Sequence, residues 1–300
     1  MISAWARMLR REGSSAPLSS RQLGALALTA AGFPIFRYCC RVSWPWALLG
    51  GLAAAAALSG LTLLRNRCGG EGPGSRRGGR IFPVVCKALL MLLLLTGALY
   101  TAWESSFAFP ETGGNLPAAG LVLLLAAAAS RGGPAAAGRT AGILLWVTGI
   151  LYGTVLVFSL PELRGEWLRP SGEPPEALGV WAALTIPGAA LCLCVKLPTE
   201  QKLPHWPWWS AAGLAAAASV LTGGILSPAL AREPEAFRTL ARGVSVLGVI
   251  RRFEALVNGA LLMSGFALCT LYIVSFFGLT GIYSDCKTAQ KKFKKTQKKC

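Results

Sequence analysis

Long apolar runs alternate with short polar joints along the whole chain, and the runs have the length of a membrane span. Eight stand out, at about 22–40, 44–64, 81–103, 116–130, 140–160, 177–197, 207–227 and 253–279. Roughly 20 apolar residues in α-helix cross a hydrocarbon core of about 30 Å, whereas a soluble helix keeps one polar face. Backbone groups in lipid must bond within their own segment, so each run predicts a helix. The third run centres on Leu89 to Leu95, and the fourth is short and rich in alanine. Trp44-Pro45-Trp46 opens the second run and Trp206-Pro207-Trp208-Trp209 the seventh. Aromatics of this kind sit at membrane interfaces. The pattern predicts an all-α integral membrane protein of about eight transmembrane helices, a transmembrane domain over 22–279 between a leader at 1–21 and a basic tail at 280–300.

Composition agrees. Hydrophobic residues make up 53% of the 300 and charged residues 14%, against roughly 25% charged in globular proteins. In a soluble protein the net charge of +17 points to nucleic acid. Here the charge lies between and beyond the spans, and no nucleic-acid partner is predicted. With Arg37 and Lys87 set aside as inside spans, segments 1–21, 65–80, 131–139, 196–206 and 280–300 hold twenty basic residues against eight on the alternate side. That asymmetry predicts both termini on the cytoplasmic side of the membrane. Lys287, Lys291, Lys292, Lys294, Lys295, Lys298 and Lys299 crowd the tail. They attract anionic lipid, at about 1 kcal/mol per basic residue near the surface. A solvated tail that only fixes topology is the plainer alternative. The longest connection, 228–252, contains an amphipathic stretch predicted to lie along the interface.

Candidate chemistry is sparse. Cys39, Cys40, Cys86, Cys192, Cys194 and Cys269 fall in or beside apolar runs, where cysteine packs as a small hydrophobe. With His205 the single histidine, a mixed Cys/His zinc site is poorly supplied. No nucleophile elbow, Walker loop, His-Glu-x-x-His or dinucleotide fingerprint occurs. Neither enzymatic activity nor a cofactor is predicted. Arg37 and Lys87 are expected to snorkel to the nearest interface. Glu254 is within reach of Arg251 or Arg252, and Asn258 is the amide inside the eighth span.

Two spans carry breaks near mid-depth, Gly32-Phe33-Pro34 in the first and Pro187-Gly188 in the sixth. Proline removes an intrahelical donor, and paired discontinuities in the two halves of a transporter mark a solute site. The expected site therefore lies between Gly32, Phe33 and Pro34, the stretch Thr185 to Gly188, and the third and eighth spans, with Asn258 as a further ligand. Proline can equally kink a helix for packing alone, and the residues leave both readings open.

Several segments in order resemble endospore germination permeases, the B-type subunits of nutrient germinant receptors. They are Leu18-Ser19-Ser20-Arg21-Gln22-Leu23, Phe109-Pro110-Glu111-Thr112, Gly138-Arg139, Leu160-Pro161 and Leu168-Arg169-Pro170. Leu240-Ala241-Arg242-Gly243-Val244-Ser245 and Arg252-Phe253-Glu254-Ala255-Leu256 resemble that family's block before its eighth helix. The resemblance implies membership of the amino acid–polyamine–organocation transporter superfamily and a LeuT-like inverted-repeat bundle with broken first and sixth helices. Arg242, Ser245, Arg252 and Glu254 are the motif residues it singles out. It also implies a small nutrient ligand such as an amino acid, A- and C-type partner subunits and the spore inner membrane. The family has ten helices where eight precede the lysine tail here, so the bundle is expected to be shortened. Pro187-Gly188-Ala189 also stands where the family places a carboxylate after the glycine. A scaffold subunit that binds no solute, or an unrelated solute carrier, are the rival readings.

Overall fold

Ser19 starts the first helix. Its hydroxyl accepts from the Gln22 N–H at 3.2 Å, while the Gln22 side chain accepts from the Ser19 N–H at 3.0 Å. This reciprocal capping box satisfies two of the donors that a helix start leaves over. The computed structural model describes residues 19–67, 81–108, 115–168, 174–195, 202–226, 230–233, 235–243 and 253–280. Nine α-helices occupy them: α1 Ser20–Arg37, α2 Trp44–Arg67, α3 Ile81–Ala108, α4 Asn115–Arg131, α5 Gly133–Ser159, α6 Pro175–Cys194, α7 Trp206–Ile225, α8 Ala236–Gly243 and α9 Phe253–Thr280. Short 3₁₀ turns at Cys39–Arg41, Leu160–Glu162, Gly165–Leu168 and Leu230–Arg232 join some of them.

All eight apolar runs are helices, but their ends differ in places from the predicted limits: the fifth starts two turns early, at Gly133, and the third runs on to Ala108. Among the described residues six are long and apolar enough to cross a membrane, an all-α membrane architecture. In α3 and α4 the apolar stretches among the described residues, Val85–Thr101 and Gly120–Arg131, are shorter. Gly132 alone separates α4 from α5, and the turn needs Gly133 at φ 79°, a conformation that a side chain disfavours.

At the centre are α1 and α9. Residues Leu23–Ala27 and Thr29–Gly32 of α1 are buried, and α9 is buried along most of its length. Around them, α2 packs on α6 and α7, α3 on α9, and α5 on both α1 and α9. Leu92, Leu124, Ile143 and Trp146 point outward, as lipid permits. Small residues set the close contacts. A Cβ on Gly50 would clash with the Ala177 carbonyl, and one on Gly32 would meet Ser264 Oγ at 3.1 Å.

A buried arginine and a half-buried asparagine tie helix ends together. Arg65, 3% exposed, donates from the end of α2 to the carbonyls of Leu191, Cys192 and Val195, the first at 2.9 Å. A cation at a helix C-terminus satisfies surplus carbonyls and opposes the negative end of the helix dipole. Beside it, the Asn66 amide donates to the Leu203 carbonyl at 3.2 Å and accepts the Leu203 N–H at 3.0 Å. The pair pins the chain that leads into α7.

Three expectations need correction. The first and sixth spans are not broken, because α1 runs through Pro34 and α6 through Pro187. A proline removes one donor and leaves the rest of the ladder; past Pro34 the Tyr38 N–H still bonds the Pro34 carbonyl at 2.9 Å. The amphipathic stretch does not lie along the surface. It is α8, whose Phe237, Arg238 and Leu240 are buried against α9 and neighbouring elements. Arg37 does not snorkel outward; it is 8% exposed.

A candidate solute cavity between four helices

Each helix around the cavity contributes residues from one face. Along α3, Leu93, Thr96, Gly97, Tyr100 and Trp103 recur every three or four positions, so they form one stripe. Phe33, Pro34 and Arg37 do the same on α1, Ala183, Ile186 and Pro187 on α6, and Leu268 and Tyr272 on α9. Tyr38 and Arg41 close one end from the turn after α1. The stripes surround a cavity of about 380 Å³, inside the range of roughly 300–1,000 Å³ typical of small-molecule sites. Thr96, Tyr100, Trp103 and Ile186 are exposed, so the cavity opens between α3 and α6.

Its two ends differ chemically. At one, the Phe33 ring meets Tyr100 edge-on with centroids 6.4 Å apart, among Leu93, Leu268 and Tyr272. One turn further along both helices, the Arg37 guanidinium carbon lies 5.1 Å from the centroid of the Trp103 ring. Arg41 lines the same end, and no acidic side chain is among the described residues that line the cavity. Outside the spans, Arg238 of α8 pairs with Glu235 at 3.4 Å. Burial and the charge of Arg37 lower its guanidinium to about 10.

The opposite face of α1 is sealed. Phe36 stacks on Tyr152 with centroids 3.8 Å apart and meets Phe237 of α8 at 4.5 Å. The Tyr152 hydroxyl lies 3.1 Å from Ser264 Oγ, and Thr29 donates to the Ala141 carbonyl at 3.2 Å. Gly265 of α9 lets the walls approach, since a Cβ there would stand 2.8 Å from Thr101 Oγ1 and 3.3 Å from the Phe33 ring.

The residues singled out in the sequence divide accordingly. Phe33, Pro34 and Pro187 line the cavity. Pro187 also has no N–H for the Ala183 carbonyl one turn back, in the cavity wall. Gly32 faces Ser264 and Tyr152 instead. Gly188 packs on Leu58 and Trp208, beside a void of about 10 Å³, room for about one water. Thr185 is half-buried and Asn258 buried, each with a side-chain oxygen that has no hydrogen-bond partner among the described residues, and neither lines the cavity. Arg242 bonds Glu254 at 2.6 Å. Ser245, Arg252 and the lysine tail lie outside the described residues.

Sequence reasoning missed Arg37 as a wall residue, although an ionisable group inside a span is by default a functional candidate. Thr96, Tyr100 and Trp103 carried no signal beyond their helical spacing. Compared with known proteins, the chain matches no protein-family profile and no curated protein sequence.

Proposed function

We propose that the chain is a membrane subunit that recognises a small nutrient, in the manner of a germination permease, with an amino acid as the ligand. The observation that carries this reading is the cavity of about 380 Å³ between α1, α3, α6 and α9. It combines apolar walls with a few converging polar groups, the usual make-up of a small-molecule site. The likeness of Leu240–Ser245 and Arg252–Leu256 to the block before the permeases' eighth helix supports the family assignment. A shortened LeuT-like bundle belongs to the same proposal. So do A- and C-type partner subunits, residence in the spore inner membrane of a bacterium, cytoplasmic termini, and contact of the lysine tail with anionic lipid.

Thermal unfolding of the detergent-purified protein against amino acids, sugars and nucleosides tests the reading. A ligand at about 100 times its Kd stabilises the fold by roughly 2.7 kcal/mol. The expected result is a stabilising hit that disappears in Thr96→Trp, which fills the open edge of the cavity. A flat panel from a well-folded sample overturns recognition and favours the scaffold reading.

A further inference from the structure

We infer that the buried end of the solute carries an uncharged hydrogen-bonding group, a hydroxyl or an amide, and that the Tyr272 hydroxyl pairs with it. The inference rests on the reading of the cavity as a solute site and adds what the deep end selects. Four hydroxyls stand among the described wall residues, those of Tyr38, Thr96, Tyr100 and Tyr272. Thr96 donates back to the Leu93 carbonyl of its own helix at 3.0 Å. Tyr38 and Tyr100 are 37% and 47% exposed, so the surroundings outside the protein can serve them. Tyr272 differs. It is 4% exposed, and its hydroxyl has no hydrogen-bond partner among the described residues. Nor is that oxygen sealed in the protein, as those of Ser159 and Asn258 are, so it opens on the cavity that the side chain lines.

Position makes that hydroxyl selective. A Cβ on Gly97 would lie 3.8 Å from the Tyr272 ring, and Gly97 is one turn from the middle of the apolar stretch Val85–Thr101. At such depth a polar group without a partner is costly. A solute that displaces water around Tyr272 must replace its hydrogen bond or leave a buried hydroxyl unpaired. Sites built to bond a polar group reject an analogue lacking it more sharply than a hydrocarbon pocket rejects a change of size. Phe33, Leu93, Gly97 and Leu268, the other described residues at that end, bring no charge. An ion placed there would exchange its hydration for one hydroxyl, whereas a neutral donor or acceptor exchanges one hydrogen bond for another. For an amino acid, Tyr272 therefore receives an uncharged polar side chain. The α-ammonium and α-carboxylate stay toward the exposed edge at Tyr100 and Trp103.

The test is thermal stabilisation of the full-length protein in detergent by matched pairs: threonine with valine, serine with alanine, asparagine with leucine, and tyrosine with phenylalanine. In at least one pair we expect the polar member to bind at least about tenfold tighter. Tyr272→Phe should abolish that preference. It should leave the melting temperature of the unliganded protein unchanged or raised, because the lost hydroxyl bonds no described protein group. Tyr152→Phe is the control. The Tyr152 hydroxyl meets Ser264 Oγ at 3.1 Å, so its loss should lower the melting temperature and keep the preference. Where asparagine binds, aspartate should be at least about tenfold weaker, and equal binding overturns the exclusion of charge. Equal binding within every pair, or a preference that survives Tyr272→Phe, overturns the inference, while sensitivity to Thr96→Trp keeps the solute site in place. A loss of unliganded stability in Tyr272→Phe as large as in Tyr152→Phe makes the hydroxyl structural and overturns it too. If only sugars or nucleosides stabilise, Tyr272→Phe must weaken them by a similar factor, and an unchanged affinity overturns the pairing. Silence from every compound sinks the inference and the solute site together.

Discussion

The guanidinium of Arg37 lies over the indole of Trp103, 5.1 Å from the ring centroid, and ties the end of α1 to α3 at the end of the cavity that Arg41 also lines. Such pairs contribute about 0.5–1 kcal/mol at exposed sites and roughly 2 when desolvated. Trp103 is 47% exposed, so Trp103→Leu should cost about 0.5–1 kcal/mol in reversible unfolding. Trp103→Phe should recover part of it, because a phenyl ring keeps a weaker cation–π contact. An unchanged midpoint in both variants would show that the stacking contributes nothing to stability.

Arg65 presents a larger effect. Its side chain bonds the carbonyls of Leu191, Cys192 and Val195. Bonds to charged groups contribute roughly 1.5–3 kcal/mol each, and an acceptor left buried costs about 1–3. Arg65→Met should lower stability by about 2–4 kcal/mol. Arg65→Lys should recover less than half, since an ammonium cannot span three carbonyls as a planar fork does. Chemical unfolding of the two variants side by side checks the order.

Two glycines separate packing from the cavity. A Cβ on Gly188 would sit 2.6 Å from the Leu58 Cδ1, and Leu58 is buried. Gly188→Ala should therefore cost about 1–3 kcal/mol through overpacking. A Cβ on Gly97 meets Cys269 Sγ at 3.6 Å, ordinary contact, and alanine favours helix by about 1 kcal/mol over glycine. Gly97→Ala should be neutral or stabilising. Equal melting temperatures for the two variants would contradict the packing described here.

The Arg242–Glu254 pair is short, at 2.6 Å, but the Arg242 side chain is 56% exposed. Exposed pairs contribute about 0.2–1 kcal/mol and weaken with salt. Hydrogen bonding to Glu254 raises the Arg242 pKa above its usual value. Arg242→Ala should change stability by less than about 1 kcal/mol, and the difference should shrink in 1 M salt. A salt-independent loss of several kcal/mol would mean that this motif residue acts through something other than the pair.

What the sequence by itself determined is the order and approximate position of the apolar helices, of which six are long and apolar enough to cross a membrane among the described residues. A run of about 20 apolar residues satisfies its own backbone in lipid whatever surrounds it. The residues that join four of those helices around one cavity were partly visible too, because Phe33, Pro34 and Pro187 lie in it. Which face of each helix points inward was not. Protein-facing and lipid-facing surfaces are both apolar in a membrane, so hydrophobic patterning does not separate Leu93, in the cavity wall, from Leu92, which points outward.

Tertiary structure decided the rest. It carried the helices unbroken through Pro34 and Pro187, because packing holds a segment that has lost one hydrogen bond. It buried α8 where amphipathicity pointed to an interface, because Phe237 finds Phe36 and Tyr152. It kept Arg37 in the bundle, because Trp103 and the cavity offer the cation an alternative to snorkelling. Each outcome depends on a partner far away along the chain, and local sequence holds no record of which partner a side chain will meet.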